Sequence, residues 1–128
     1  MPNEAGLRVL VVDDEPDLVD LACVWLGSGG HRTTPTSVPG DALELLASDT
    51  FDVLMTDVVM PGGVDGIELA SRAIECQPGI RVLLCSGYSQ KLLSREAPIA
   101  WPLLQKPYRK AELLSAISAV AGAGPSSK

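Results

Sequence analysis

Four short apolar runs of this chain each end at a polar or charged residue. The runs cover residues 7–12, 53–56, 82–85 and 102–105, and the residues that follow them are Asp13 with Asp14, Asp57, Ser86 and Lys106. Runs of this length, bounded by turn residues, are typical of strands buried on both faces of a parallel sheet. The carboxyl ends of such strands meet at the edge where these folds bind ligands. The pattern therefore predicts that three carboxylates, a hydroxyl and an ammonium group meet in one place.

Helical segments between the runs complete an alternation of strand and helix that repeats five times. The helices are predicted from Pro16, from Pro39, from Ile67 to about Cys76 and across 113–121, with a weakly helical stretch at 88–97. The polar, threonine-rich segment 31–36 is typical of an edge strand. Together these features predict an α/β fold of the flavodoxin-like, doubly wound (βα)5 type, whose five-stranded parallel sheet has the order 2-1-3-4-5.

Composition limits the class of protein. With 128 residues, the chain is expected to form one domain over 1–121, followed by a flexible tail over 122–128. The net charge of −6 leaves no basic stripe for DNA. The sequence shows neither a signal peptide nor an apolar run long enough to span a membrane, so we expect a cytoplasmic protein without membrane contact. No output domain follows the last helix, so output is expected through contact with another protein or through a longer parent chain.

The cysteines and the single histidine limit the kinds of catalytic or metal site that the chain can form. Cys23, Cys76 and Cys85 have no metal-binding spacing and are interpreted as small buried residues in a reducing compartment. His31 is the only histidine, which argues against most histidine-based catalysis, and it is predicted to be a solvated surface residue.

The predicted cluster suggests phosphoryl chemistry. Three neighbouring carboxylates repel one another unless a cation compensates. A hard divalent ion such as Mg²⁺ favours one or two carboxylates with room for a phosphoryl oxygen. A carboxylate can also attack phosphorus and form an aspartyl phosphate, while a metal and a lysine offset the charge of the transferring group. Asp57 is the best candidate nucleophile because its strand is predicted to be central.

Five motifs of this chain resemble the receiver domain of bacterial response regulators, a family that includes the chemotaxis regulators. They are Val11–Glu15, Met55–Pro61, Asp65–Gly66, Ser86–Tyr88 and Leu104–Tyr108. The resemblance extends from about residue 8 to residue 121. The sequence around Ser86 and Lys106 is similar to that of receivers attached to, or paired with, hybrid sensor histidine kinases.

The resemblance implies a function and a metal site. It implies a phosphoacceptor module of a two-component phosphorelay, in which Asp57 accepts a phosphoryl group from a sensor histidine kinase or a histidine phosphotransfer protein. Asp14, Asp57 and the backbone carbonyl of Val59 would ligate Mg²⁺, with Asp13 assisting through water. Such a domain changes its contacts with a downstream protein or a domain of the same chain, and it is not a turnover enzyme.

The resemblance also implies a switch. Lys106 would pair with the phosphoryl oxygens, and Ser86 would turn inward to hydrogen-bond them. The chain departs from the family pattern at Leu103, where many receivers place a switching tyrosine or phenylalanine, and at the additional Gly63. Movement of the stretch 88–97 is therefore expected to carry more of the signal. The signalling surface is expected to lie around this stretch, strand five and the last helix.

Two residues are predicted to set how long the phosphoryl group survives. Val59 and Tyr88 lie two residues after Asp57 and Ser86, at the predicted mouth of the site. An apolar group and a bulky ring there should hinder an attacking water, and neither provides a carboxylate to orient it. The aspartyl phosphate is therefore expected to be lost slowly.

Two other classes of function remain open at the level of sequence. A phosphatase or phosphotransferase could use an aspartyl nucleophile, but such enzymes usually carry a second acid two residues later, where this chain has Val59. A degenerate receiver could serve only for docking, although the complete set of acidic residues, Ser86 and Lys106 counts against it.

Overall fold

The computed structural model describes residues 6–58, 65–87 and 101–122. Strands and helices alternate through these ranges. The strands are β1 (Arg8–Val12), β2 (Arg32–Thr36), β3 (Val53–Asp57), β4 (Arg81–Ser86) and β5 (Leu103–Gln105). The helices of the described ranges are α1 (Pro16–Ser28), α2 (Pro39–Ser48), α3 (Gly66–Cys76) and α4 (Lys110–Gly122). The stretch 88–97, predicted to be weakly helical, lies outside the described residues.

The strands form a single parallel sheet in the order β2-β1-β3-β4-β5. This confirms the predicted fold class and strand order. The polar segment forms the edge strand β2, which accommodates Pro35 because an edge strand can lack one donor. The register aligns Val12 with Thr56 and Asp57 with Cys85, so the carboxyl ends of the three inner strands β1, β3 and β4 lie side by side.

Alternating side chains of the inner strands give the sheet two apolar faces. Leu10, Leu54 and Leu84 belong to the core on one face, which α2 and α3 cover. Val11, Met55 and Leu83 belong to the core on the other face, which α1 and α4 cover. Because both faces are buried, the inner strands carry nearly continuous apolar sequence rather than an alternating pattern.

The boundaries differ from the predicted ones in a consistent way. Asp57 and Ser86 are the last residues of β3 and β4 rather than the first residues after them. The ladder continues past Asp57 because the Val58 N–H donates to the carbonyl of Cys85 at 2.9 Å. At the other end, α4 extends to Gly122, one residue past the helical stretch predicted across 113–121.

Two residue types are placed differently from expectation. Cys85 is buried and Cys23 is partly buried, but Cys76 is exposed at the end of α3. His31 is only partly exposed, and its Nδ1 accepts a hydrogen bond of 3.1 Å from the backbone N–H of Leu7. This contact follows from the pairing of β1 with β2, which brings the start of each strand beside the other.

Candidate functional site

The carboxyl edge of the sheet brings the predicted polar residues together. Asp13 follows β1, Asp57 ends β3, Ser86 ends β4 and Lys106 follows β5. One carboxylate oxygen from each of Asp13, Asp14 and Asp57 lies within 4.8 Å of the others. Oxygen donors at this spacing suit a hard divalent cation, so the donor set fits Mg²⁺.

Lys106 bridges two of the three carboxylates. Its Nζ lies 2.7 Å from Asp13 Oδ2 and 3.4 Å from Asp57 Oδ2. The side chains of Lys106, Asp13 and Asp57 are only 15%, 7% and 10% exposed, so water screens these ion pairs weakly. The lysine is held in place by its own backbone, whose N–H donates to the Ser86 carbonyl at 2.7 Å. The cluster therefore contains its own internal cation.

The two members of the acidic pair have different surroundings. Asp13 is buried. Its Oδ2 accepts a hydrogen bond from Lys106 Nζ, and its Oδ1 accepts one of 3.0 Å from the backbone N–H of Glu15. Asp14 is more exposed than Asp13. Asp13 thus already has a partner on each carboxylate oxygen, whereas Asp14 lies on the open side of the cluster.

The structure places only some of the other predicted site residues. Ser86 is buried, with 1% of its surface exposed, at the end of the strand adjacent to that of Asp57. Leu103 is partly buried and packs against the core on the α2 and α3 face. Val59, Gly63 and Tyr88 lie outside the described residues.

Burial changes the electrostatics of Asp57. Loss of water around the carboxylate, assisted by the charge of Asp13, raises the pKa of Asp57 to about 6, although Lys106 pulls it down. Burial alone would lower the pKa of Lys106, but its hydrogen bond and ion pair with Asp13, together with the charge of Asp57, outweigh burial and raise it. Lys106 therefore stays protonated while Asp57 changes charge near pH 6.

This raised pKa predicts how the stability of the metal-free protein depends on pH. Between about pH 4 and pH 6, folded Asp57 holds a proton that the unfolded chain has released, so its contribution to stability falls as the pH rises through that range. Asp57→Asn should remove this contribution and raise the free energy of unfolding at pH 7 by on the order of 2 kcal/mol. Urea unfolding of both proteins without metal at pH 4.5 and pH 7.5 measures the difference. An equal difference at the two pH values would contradict the raised pKa.

Sequence reasoning missed two residues beside Asp57. Thr56 is fully buried within β3 and its hydroxyl donates to the Asp57 carbonyl at 3.0 Å. Gly66 begins α3 and lies directly against the Asp57 backbone. The sequence signals for them are a hydroxyl within an otherwise apolar run and the Asp65–Gly66 pair at the start of a helix.

A partly apolar cavity of about 410 Å³ adjoins the cluster between α1 and the segment after β5. Its lining includes Leu18, Leu21 and Trp25 of α1 together with Lys106 and Tyr108. The Trp25 and Tyr108 rings meet edge to face, with centroids 6.3 Å apart. Lys106 therefore belongs both to the carboxylate cluster and to the lining of this cavity.

Comparison with known proteins agrees with this geometry. Residues 9–118 match the family model of the response regulator receiver domain. The response regulator receiver protein CpdR of Brucella abortus is 32% identical over 112 residues, which cover 86% of this chain and 92% of that protein. Several longer regulators match over less than half of their own length.

Solved structures show the same fold. A response regulator receiver protein from Sinorhizobium medicae is 27% identical, with a TM-score of 0.81 over 94% of this chain and 98% of that one. The response regulator TrrA of Thermotoga maritima, solved in complex with Mg²⁺ and BeF, is 25% identical, with a TM-score of 0.76 over 89% and 98% of the two chains.

The chain belongs to the response regulator receiver domain family. It is a phosphoacceptor module of two-component signalling. Members of this family interact with histidine kinases and with downstream effectors. Among the helices in the described ranges, none has the length and apolarity needed to cross a membrane.

Proposed function

We propose that Asp57 is the residue that accepts the phosphoryl group. The observation that carries this proposal is its position: Asp57 ends the central strand, close to both other carboxylates and 3.4 Å from Lys106 Nζ. Asp13 is less suited to attack because both of its oxygens have hydrogen-bond partners. Replacement of Asp57 by asparagine tests the assignment, because the amide is a poor nucleophile and the variant should take up no phosphoryl group.

The transfer from a phosphohistidine follows from these groups. A carboxylate oxygen of Asp57 attacks phosphorus, the bond between phosphorus and the donor's imidazole nitrogen breaks, and its electron pair stays on that nitrogen. Only deprotonated Asp57 can attack, so a pKa of about 6 leaves most of the residue reactive at pH 7. Lys106, already between Asp13 and Asp57, supplies positive charge where phosphoryl oxygens would gather.

We propose Mg²⁺ as the cofactor, with Asp14 and Asp57 as direct ligands, Val59 contributing its carbonyl, and Asp13 acting through water. When bound, the ion offsets negative charge on the transferring group. The spacing of the three carboxylates supports this ligand set, as does the presence of Mg²⁺ in the complex of the similar protein TrrA. Because Asp13 is already engaged by Lys106 and Glu15, it is less available than Asp14 for direct coordination.

The different roles of Asp13 and Asp14 predict unequal losses of Mg²⁺ affinity. Asp13→Asn should weaken binding on the order of 10–100-fold, as expected for a group that acts through another ligand. Asp14→Asn should weaken it further because a direct ligand is lost. Isothermal titration with MgCl₂ at pH 7 measures both, with Asp52→Asn as a control outside the cluster. Equal losses at positions 13 and 14 would contradict these roles.

The domain is proposed to act as a switch and not as a turnover enzyme. Its donor would be a sensor histidine kinase or a histidine phosphotransfer protein, and its output a contact with a downstream protein or a domain in cis. Ser86, adjacent to Asp57 across the sheet, would hydrogen-bond the phosphoryl group, and Val59 and Tyr88 would slow its loss. We further propose that the receiver occupies residues 1–121, followed by a tail over 122–128, and that it works in the cytoplasm.

The face formed by α1 is proposed as the place where the phosphohistidine donor docks. Leu21 and Val24, three residues apart on α1, are 41% and 66% exposed. Leu21 also lines the cavity that reaches Lys106. Apolar side chains left in solvent next to a reactive site are typical of a surface that a partner covers.

A substitution on the exposed face of α1 should affect phosphorylation by a protein donor but not by a small-molecule donor. The donor is a phosphohistidine protein that phosphorylates the wild type. Val24→Glu should slow transfer from this donor by about tenfold or more, because a charge would be buried at the contact. Phosphorylation by phosphoramidate should be unchanged, since that donor needs no docking surface. Equal rates from the protein donor would show that the partner binds elsewhere.

A further inference from the structure

Two hydrogen bonds hold the peptide that joins Asp57 to Val58, and a third holds the carbonyl that follows it. The Val58 N–H donates to the Cys85 carbonyl at 2.9 Å, and the Asp57 carbonyl accepts from the Thr56 hydroxyl at 3.0 Å. The next carbonyl, that of Val58, accepts from the Gly66 N–H at 2.8 Å. The backbone immediately after Asp57 is therefore fixed from β4, from β3 itself and from α3.

Thr56 is an unexpected residue for its position. It is 0% exposed, in an inner strand, and its register partners are Val12 and Leu84. A β-branched apolar residue such as valine would fill the same space without the cost of burying a hydroxyl. What the hydroxyl adds is the hydrogen bond to the Asp57 carbonyl.

Gly66 allows α3 to approach the same peptide. A Cβ at this position would overlap the Asp57 carbonyl oxygen and press on the Cα of Val58. The first turn of α3 is fixed in this place by Asp65, whose side chain accepts from the Glu68 N–H at 2.8 Å. Only glycine lets the helix begin this close to the strand without moving it.

We infer that Thr56 and Gly66 are positioning residues for phosphoryl transfer, acting through the peptide between Asp57 and Val58. A shift of that peptide would carry the Asp57 Cα with it and would move the carboxylate relative to Lys106 and the other carboxylates. A nucleophile displaced by about 1 Å can lose two orders of magnitude in rate. The inference rests on the proposed function, in which Asp57 is the acceptor.

The test uses variants that alter one contact each. Thr56→Val removes the hydroxyl at nearly constant volume, and Thr56→Ser keeps it. Gly66→Ala adds the obstructing Cβ, and Gly40→Ala is its matched control, because Gly40 also lies in the first turn of a helix and a Cβ there meets no atom within 4 Å. The rate of phosphorylation by phosphoramidate is measured at saturating Mg²⁺, together with the free energy of unfolding and the ¹³C chemical shift of the Asp57 backbone carbonyl.

We expect Thr56→Val to label about tenfold more slowly per folded molecule and to shift the Asp57 carbonyl signal, with Thr56→Ser close to the wild type in both. Gly66→Ala should be slowed more, while Gly40→Ala keeps the wild-type rate. If Gly66→Ala does not fold, the two Thr56 variants decide the matter. Rates in Thr56→Val equal to the wild type, or no rescue by Thr56→Ser, would overturn the positioning role alone. A wild type that takes no phosphoryl group at position 57 would overturn the proposed function and this inference with it.

Discussion

Asp57→Asn should take up no phosphoryl group from phosphoramidate and Mg²⁺ under conditions that label the wild type once. The amide of asparagine is a poor nucleophile toward phosphorus, whereas the carboxylate of Asp57 is largely deprotonated at pH 7. Intact-mass analysis during the incubation measures the effect. Because the site is built on the ends of rigid strands, the substitution should leave the rest of the cluster in place.

The control for this experiment is another aspartate of the same region. Asp52 lies just before β3, and its carboxylate accepts from the Arg8 N–H at 2.8 Å, outside the cluster. Asp52→Asn should be labelled like the wild type. Full labelling of Asp57→Asn at a different residue would contradict the assignment of Asp57 as the acceptor.

Lys106→Met should destabilise the metal-free protein at pH 7 by about 3 kcal/mol. The substitution keeps an unbranched side chain but removes the cation between Asp13 and Asp57, leaving two weakly screened carboxylates beside each other. Mg²⁺ should restore much of the loss, because the ion supplies a replacement positive charge. Chemical unfolding with and without MgCl₂ measures both effects.

A surface ion pair provides the comparison for Lys106. Arg72 pairs with Glu68 on α3 at 2.7 Å, with both side chains about half exposed. Arg72→Met should cost less than about 1 kcal/mol and should not respond to Mg²⁺. If Lys106→Met lost no more stability than Arg72→Met, the lysine would not be the internal cation of the cluster.

The fold was predictable because its signals are local. Each inner strand is a short apolar run, and the run ends where the chain must leave the sheet, as at Asp57 and Ser86. The polar, threonine-rich sequence of β2 marked the edge of the sheet. Once the strand order was known, the meeting of Asp13, Asp57 and Lys106 followed from topology alone.

Contacts between distant segments were not predictable in the same way. The partner of Lys106 is chiefly Asp13, and that choice depends on side-chain distances within the folded cluster. Gln77 is a similar case, because its amide donates to the carbonyls of Leu46 and Asp49 and its Oε1 accepts from the Phe51 N–H. No local pattern marks a residue that joins the ends of α2 and α3 to the start of β3.

If the aspartyl phosphate forms at position 57, chemical mapping of the wild type will locate it there. Borohydride reduces an aspartyl phosphate to homoserine, which peptide mass spectrometry then locates in protein treated with phosphoramidate. Homoserine should replace Asp57 alone, and only when Mg²⁺ was present during labelling. Homoserine at position 13 or 14, or the same yield at position 57 without a divalent ion, would contradict the proposed site.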